Sequence, residues 1–207
     1  MRHEGYWAAE RLIADLRFTN PDLVRMPRPI VEIAREFGVE YDPLRPGLGI
    51  HFSGLLDGDR IYVSDNDSVH RVRYTIAHEL AHFLLGSTLP NGLSFRGLHT
   101  TEHQDVEAEA DGFASGLLLD QPRLRDLLSG MIPDLCKLTV DNWVQMEMEH
   151  RVISRITTAC NVSYPMVLQA LADAGLVEGI MPWGDCPGVA FSRYRKARAA
   201  RVSAASG

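Results

Sequence analysis

Two histidines and a glutamate in the middle of the chain have the spacing of a hydrolytic metal centre. His78 and His82 are four residues apart in the run His-Glu-Leu-Ala-His, and Glu79 follows the first of them. On an α-helix, residues four apart lie on one face, so the two imidazoles can bind one metal ion. Glu79 would point beside that ion, where a general base for an attacking water must lie. The run therefore predicts a catalytic centre, and zinc accepts imidazole nitrogen ligands readily.

A catalytic zinc needs a third protein ligand and one open coordination position. The best candidate is Glu107, twenty-five residues after the second histidine, and Glu109 is the alternative. Their side chains point roughly 200° apart on a helix, so both cannot be ligands. Asp111, one turn after Glu107, could hydrogen-bond a ligand histidine and fix its tautomer. The small residues Ala110 and Ala114 would let this helix approach its neighbour closely enough to bring a carboxylate to the histidines.

Two more histidines lie between these motifs. His99 and His103 are again four residues apart, and three interpretations stay open: a second metal pair, a donor to the transition state, or surface histidines without a role. The segment 87–99 is rich in Gly, Pro and Asn, which predicts a mobile loop that borders the cleft.

Hydrophobic periodicity predicts the elements that position these residues. The histidines lie in a helix over 69–85, with Ser68 as its N-cap and Gly86 as its stop, and the acids lie in a helix over 102–119. Asp57-Gly58 predicts a hairpin, which either covers the histidine helix or offers an edge strand to an extended peptide. Residues 42–48 are predicted to form a loop. Further helices are predicted over residues 4–18, 29–37, 120–130, 141–159 and 164–174, and the hairpin strands over 50–56 and 60–64.

Composition limits the function classes. The chain has 207 residues and a net charge of −6, but the tail from Phe191 carries five basic residues and no acid. The acidic remainder would repel nucleic acid. No apolar run is long enough for a membrane helix. Three separated cysteines and the lack of a signal peptide favour a reduced cytoplasm.

The fold class is predicted to be α+β, mostly helical with a small antiparallel sheet. We expect a catalytic domain over residues 1–130, a helical segment over 131–179 that packs on it, and a basic, disordered tail over 180–207.

The runs RVRYTIAHELAHFLLG and EAEADGFASGLLL resemble the metallopeptidase domain of the ImmA/IrrE family. The resemblance covers about residues 5–177, although Leu119-Asp120 stands where the family usually has Met-Pro. It implies a zincin-like fold of the gluzincin type with one zinc per chain, held by His78, His82 and Glu107, with Glu79 as the base. It further implies cleavage of a regulatory protein, typically a helix-turn-helix repressor encoded nearby, which derepresses mobile-element or stress genes.

Two other functions are compatible with parts of the sequence. A metal-stabilised binding module could sequester the repressor without cleaving it, but a structural metal site has no use for Glu79. Residues 151–174 could form a DNA-binding helix-turn-helix, but the second helix contains no Lys or Arg. A recognition helix without basic residues argues against direct nucleic-acid binding.

Overall fold

The structure is a computed structural model that describes residues 2–44, 53–64, 66–86, 93–95, 104–131 and 152–173. These residues form seven α-helices, four strands and a short 3-10 helix over Pro21–Val24, so the predicted α+β class is confirmed. The helices are α1 (Arg2–Thr19), α2 (Ile30–Glu36), α3 (Val69–Leu85), α4 (Gln104–Leu118), α5 (Gln121–Ser129), α6 (Val152–Cys160) and α7 (Tyr164–Asp173). The strands are β1 (Glu40–Leu44), β2 (Gly54–Asp57), β3 (Arg60–Ser64) and β4 (Leu93–Phe95).

The strands form one mixed sheet in the order β1-β3-β2-β4. The predicted hairpin is confirmed: β2 and β3 are antiparallel, and Asp57 pairs with Arg60 around Gly58, whose φ is +62°. β1 runs parallel to β3, so the prediction of a loop over residues 42–48 is wrong for residues 42–44. A strand that contains Pro43 has a weak β pattern, and its parallel partner lies twenty residues further along the chain.

The predicted loop over residues 87–99 also contains a strand. β4 pairs antiparallel with β2, so that Leu55 is opposite Phe95 and Asp57 is opposite Leu93. The other residues of that loop lie outside the described part of the chain, as do His99, His103, residues 132–151 and everything after Asp173. Predictions about the loop's mobility, the start of the 141–159 helix and the basic tail therefore stay predictions.

α3 begins and ends as the sequence predicts. The Ser68 side chain accepts a hydrogen bond from the backbone N–H of Arg71, and Gly86 adopts the left-handed conformation with φ +66°. Every residue from Thr75 to His82 is buried. α3 therefore lies in the interior and carries four polar side chains there, at Thr75, His78, Glu79 and His82.

The chain divides into two compact units. The first comprises residues 1–120 and Cys160–Val162, and it holds all the described strands together with α1 to α4. Within it α4 packs against both α1 and α3. The second comprises residues 121–159 and 163–207, in which α5 contacts α7. None of the helices in the described ranges has the length and apolarity needed to cross a bilayer.

Candidate metal centre

One row of side chains on α3 faces α4. Tyr74, His78 and His82 follow each other at intervals of four residues, and all three rings lie on one side of the helix. The two imidazoles are almost fully buried, and their Nε2 atoms are 3.1 Å apart. Burial of two polar rings at this distance is costly unless a shared partner binds both of them.

Glu107 of α4 completes a cluster of three donor groups. Its Oε2 lies 3.2 Å from His78 Nε2, and its Oε1 lies 3.4 Å from His82 Nε2. In a tetrahedral zinc site with bonds of about 2.0–2.1 Å, neighbouring donor atoms lie roughly 3.3 Å apart. The three separations have that size, and one donor atom from each residue lies within 4.8 Å of the others. Two imidazoles and a carboxylate also match the chemistry of a zinc donor set, so these residues fit the ion.

Asp111 lies one turn after Glu107 and contacts the far side of the first histidine. Its Oδ1 is 3.0 Å from His78 Nδ1 and 2.7 Å from the hydroxyl of Tyr74, which donates to it. In the neutral imidazole, a carboxylate at Nδ1 keeps the remaining proton there and leaves Nε2 free to bind a metal. The predicted supporting position of Asp111 thus has the geometry of a ligand-orienting residue.

The electrostatics of the cluster keep Glu107 negative. Burial opposes the charged form of His78, but its hydrogen bonds with Asp111 and Glu107 outweigh that effect and raise the pKa of His78 to about 9. Partial burial would raise the pKa of Glu107, but hydrogen bonds from His78 and His82 lower it well below its usual range. A ligand carboxylate must be ionised, and this one is.

Glu79 lies on a second row of α3, next to the histidine row. This second row, Arg71, Thr75 and Glu79, faces the start of β2. The Glu79 side chain is fully buried. The carboxylate therefore lies on the β2 side of α3, and its charge acts on His78, whereas Glu107 and Asp111 contact that imidazole from α4.

Another face of α4, which includes the backbone of Glu109, packs against α1. A Cβ added to Gly5 of α1 would touch the Glu109 carbonyl group and the Phe113 nitrogen, so α1 and α4 are in close contact along this face. Glu107 and Asp111 face α3 instead. Ala110 and Ala114 are fully buried, in agreement with close packing of α4.

Comparison with known families agrees with this arrangement. The family model described as the IrrE N-terminal-like domain, Peptidase_M78, matches residues 43–171. The chain belongs to this family. The matched range includes α3 and α4 with all five predicted site residues, and membership of the Peptidase_M78 family indicates a metallopeptidase-type function. A search of curated proteins gives no match.

Two residues near the site were missed by the sequence analysis. Tyr74 precedes His78 by four residues, and that spacing could have indicated a shared helix face. Gly54, at the start of β2, packs against Thr75 and Glu79. A glycine in a strand is a known sign of close approach by another group.

Proposed function

We propose that this chain is a zinc-dependent endopeptidase that cleaves a regulatory protein, a helix-turn-helix repressor, and thereby derepresses the genes under its control. The observation that carries the proposal is the convergence of His78, His82 and Glu107, together with a fully buried Glu79 whose charge acts on His78. Family membership supports the peptidase class. The choice of a repressor as substrate follows from the resemblance of the α3 and α4 sequences to the ImmA/IrrE family.

His78, His82 and Glu107 would hold one zinc per chain. A zinc ion in such a site supplies a Lewis acid that polarises the scissile carbonyl and lowers the pKa of water. Asp111 keeps the His78 ring oriented through Nδ1, and Tyr74 holds Asp111. These contacts fix the donor atoms before substrate arrives, which is what a catalytic centre requires.

Glu79 would carry the proton transfers. Its carboxylate removes a proton from the attacking water as the new C–O bond forms, and it delivers that proton to the amide nitrogen as the C–N bond breaks. A binding module would need no such group.

Charge supports a DNA-binding protein as substrate. The whole chain carries −6, although the segment from Phe191 carries only positive charges, so the residues before it are strongly acidic. An acidic surface attracts the basic surface of a DNA-binding partner and repels nucleic acid itself. We expect this chain to bind such a repressor in the cytoplasm.

The test is Glu79→Gln, which keeps the size of the side chain but removes the base. The zinc-loaded wild type and variant are each incubated with the repressor encoded next to this protein, and fragments are sought by mass spectrometry. We expect wild-type fragments, a variant at least about 100-fold slower, and equal zinc content. In cells, the variant should fail to derepress.

Two results would contradict the proposal. Derepression by Glu79→Gln without fragments from either protein would favour sequestration of the repressor by a metal-stabilised binding module. Undiminished cleavage by Glu79→Gln would mean that Glu79 is not the base.

A further inference from the structure

The start of β2 is held against the row of α3 that contains Glu79. The Arg71 side chain donates from Nη2 to Ser53 Oγ at 2.6 Å, with a second contact from Nε at 3.3 Å. The next residue along the chain is Gly54, which packs on Thr75 and Glu79. Arg71, Thr75 and Glu79 are spaced at intervals of four residues, so this stretch of backbone follows one face of α3.

Gly54 leaves a space that the side chains of Thr75 and Glu79 fill. A Cβ at this position would lie 2.9 Å from Glu79 Oε1 and 3.3 Å from Glu79 Cγ. It would also lie far inside 3.0 Å of Thr75 Cγ2, a separation that real Cβ atoms essentially never show. Thr75 and Glu79 are both fully buried, so neither side chain can move into solvent to make room.

We propose that Gly54 is a positioning residue for Glu79: the missing side chain gives the carboxylate the place from which it serves the metal centre. The consequence for catalysis rests on the proposed function, whereas the contact itself does not. Any side chain at residue 54 would push the carboxylate away from β2. The histidine row would be disturbed less, since His78 and His82 face α4.

The test separates the two neighbours of Gly54. Thr75→Ser removes only the Cγ2 methyl, which is the worst clash, and therefore gives a background in which Gly54→Ala crowds mainly Glu79. In that background we expect Gly54→Ala to lower kcat about 100-fold, with KM and zinc affinity within about threefold. Gly130→Ala is the matched control, because a Cβ there would meet its nearest atom at 3.6 Å, an ordinary contact.

A second readout needs no substrate. In the Thr75→Ser background, Gly54→Ala should lower the Tm by roughly 3–10 °C, as overpacking does. When Glu79→Ala is added, the same glycine change should cost less than about 2 °C, because the side chain that it crowds is gone. This cycle measures the contact even if the variant is a poor enzyme.

Two outcomes would overturn the proposal. One is a folded, zinc-loaded Gly54→Ala protein with wild-type kcat, and the other is an undiminished Tm loss in the Glu79→Ala background. A wild type that cleaves nothing would instead refute the proposed function, and the Tm cycle would then decide the contact alone.

Discussion

The choice of the third ligand depends on the direction in which each acid of α4 points. Glu107 reaches both imidazoles, whereas the backbone of Glu109 faces α1. Glu107→Ala should therefore weaken zinc binding by roughly 100-fold or more, and Glu109→Ala should leave it within about threefold. Competition with a chelating dye measures both. If Glu109→Ala weakened zinc binding and Glu107→Ala did not, Glu109 would be the ligand.

Protons compete with the metal at His78. Because the pKa of this imidazole is raised to about 9, the metal-free protein holds a proton on His78 at pH 7. Zinc must displace that proton, so zinc affinity should rise about tenfold per pH unit from pH 6 to 8 and stop rising above about pH 9. Glu107, whose pKa is lowered, releases none.

Calorimetry in two buffers with different ionisation enthalpies would count the released protons. We expect about one proton from His78 per zinc at pH 7. An affinity that does not change between pH 6 and 8 would contradict the assignment.

For individual residues of the site, the sequence predicts the relations between neighbours in one helix, but it does not predict contacts between different elements. The spacing of His78, Glu79 and His82 is a property of one helix, so it could be read directly. Glu107 lies on another helix, so the sequence could name it only as the better candidate beside Glu109, and its contacts with both imidazoles depend on the packing of α4. Gly54 was missed because nothing in its own neighbourhood shows that a buried carboxylate packs on it.

α1 packs against α4, the helix that carries Glu107, and so helps to position the metal centre. A Cβ at Gly5 would lie 2.8 Å from the Glu109 carbonyl carbon and 2.9 Å from the Phe113 nitrogen, and backbone atoms cannot move aside cheaply. Gly5→Ala should therefore destabilise the first unit by about 1–3 kcal/mol and weaken zinc binding, because α4 carries Glu107. Thermal unfolding and a zinc titration measure the two effects.

Helix propensity alone predicts the opposite effect of Gly5→Ala on stability, so the two explanations can be distinguished. Alanine is intrinsically better than glycine in a helix by about 1 kcal/mol, so propensity alone would make Gly5→Ala stabilising. The control is Ala14→Gly at an exposed position of the same helix, where only propensity acts. A higher Tm for Gly5→Ala would show that α1 and α4 are not in close contact at this point.

The helices were predictable because their apolar residues repeat at helical spacing, and α1, α3 and α7 lie where that pattern places them. Strand β1 could not be predicted in this way, since its pairing with β3 depends on residues twenty positions away and its own sequence contains Pro43. The packing of α1 against α4 could not be predicted either. Periodicity identifies the buried face of a helix, but it does not identify the element that packs against that face.

At the scale of the whole chain, the first unit includes a segment from late in the sequence. Cys160 and Val162 are buried, and Arg73 donates from Nε to the Asn161 carbonyl at 3.0 Å and from Nη2 to the Arg28 carbonyl at 2.8 Å. A fragment of residues 1–130, the catalytic domain expected from the sequence, lacks these late residues. Only long-range contacts reveal that residues 160–162 return to the unit.

We therefore expect the 1–130 fragment to unfold at a lower temperature than the full chain. The Arg73 guanidinium would lose one of its two carbonyl acceptors, and buried apolar contacts of Val162 would be lost as well. Circular dichroism during heating, with zinc and without it, provides the measurement. Equal unfolding temperatures would support 1–130 as an independent domain.

The ends of two helices lie at the metal centre, so their helix dipoles contribute to the electrostatic potential there. His82 lies in the last turn of α3, and Glu107 lies in the first turn of α4. The macrodipole of α3 places partial negative charge near His82, and that of α4 places partial positive charge near Glu107. Each is worth about 0.3–1 kcal/mol at a helix end. The first favours a cation beside the histidines, and the second favours the ionised form of Glu107, so the two helix ends stabilise opposite charges on the two sides of the site.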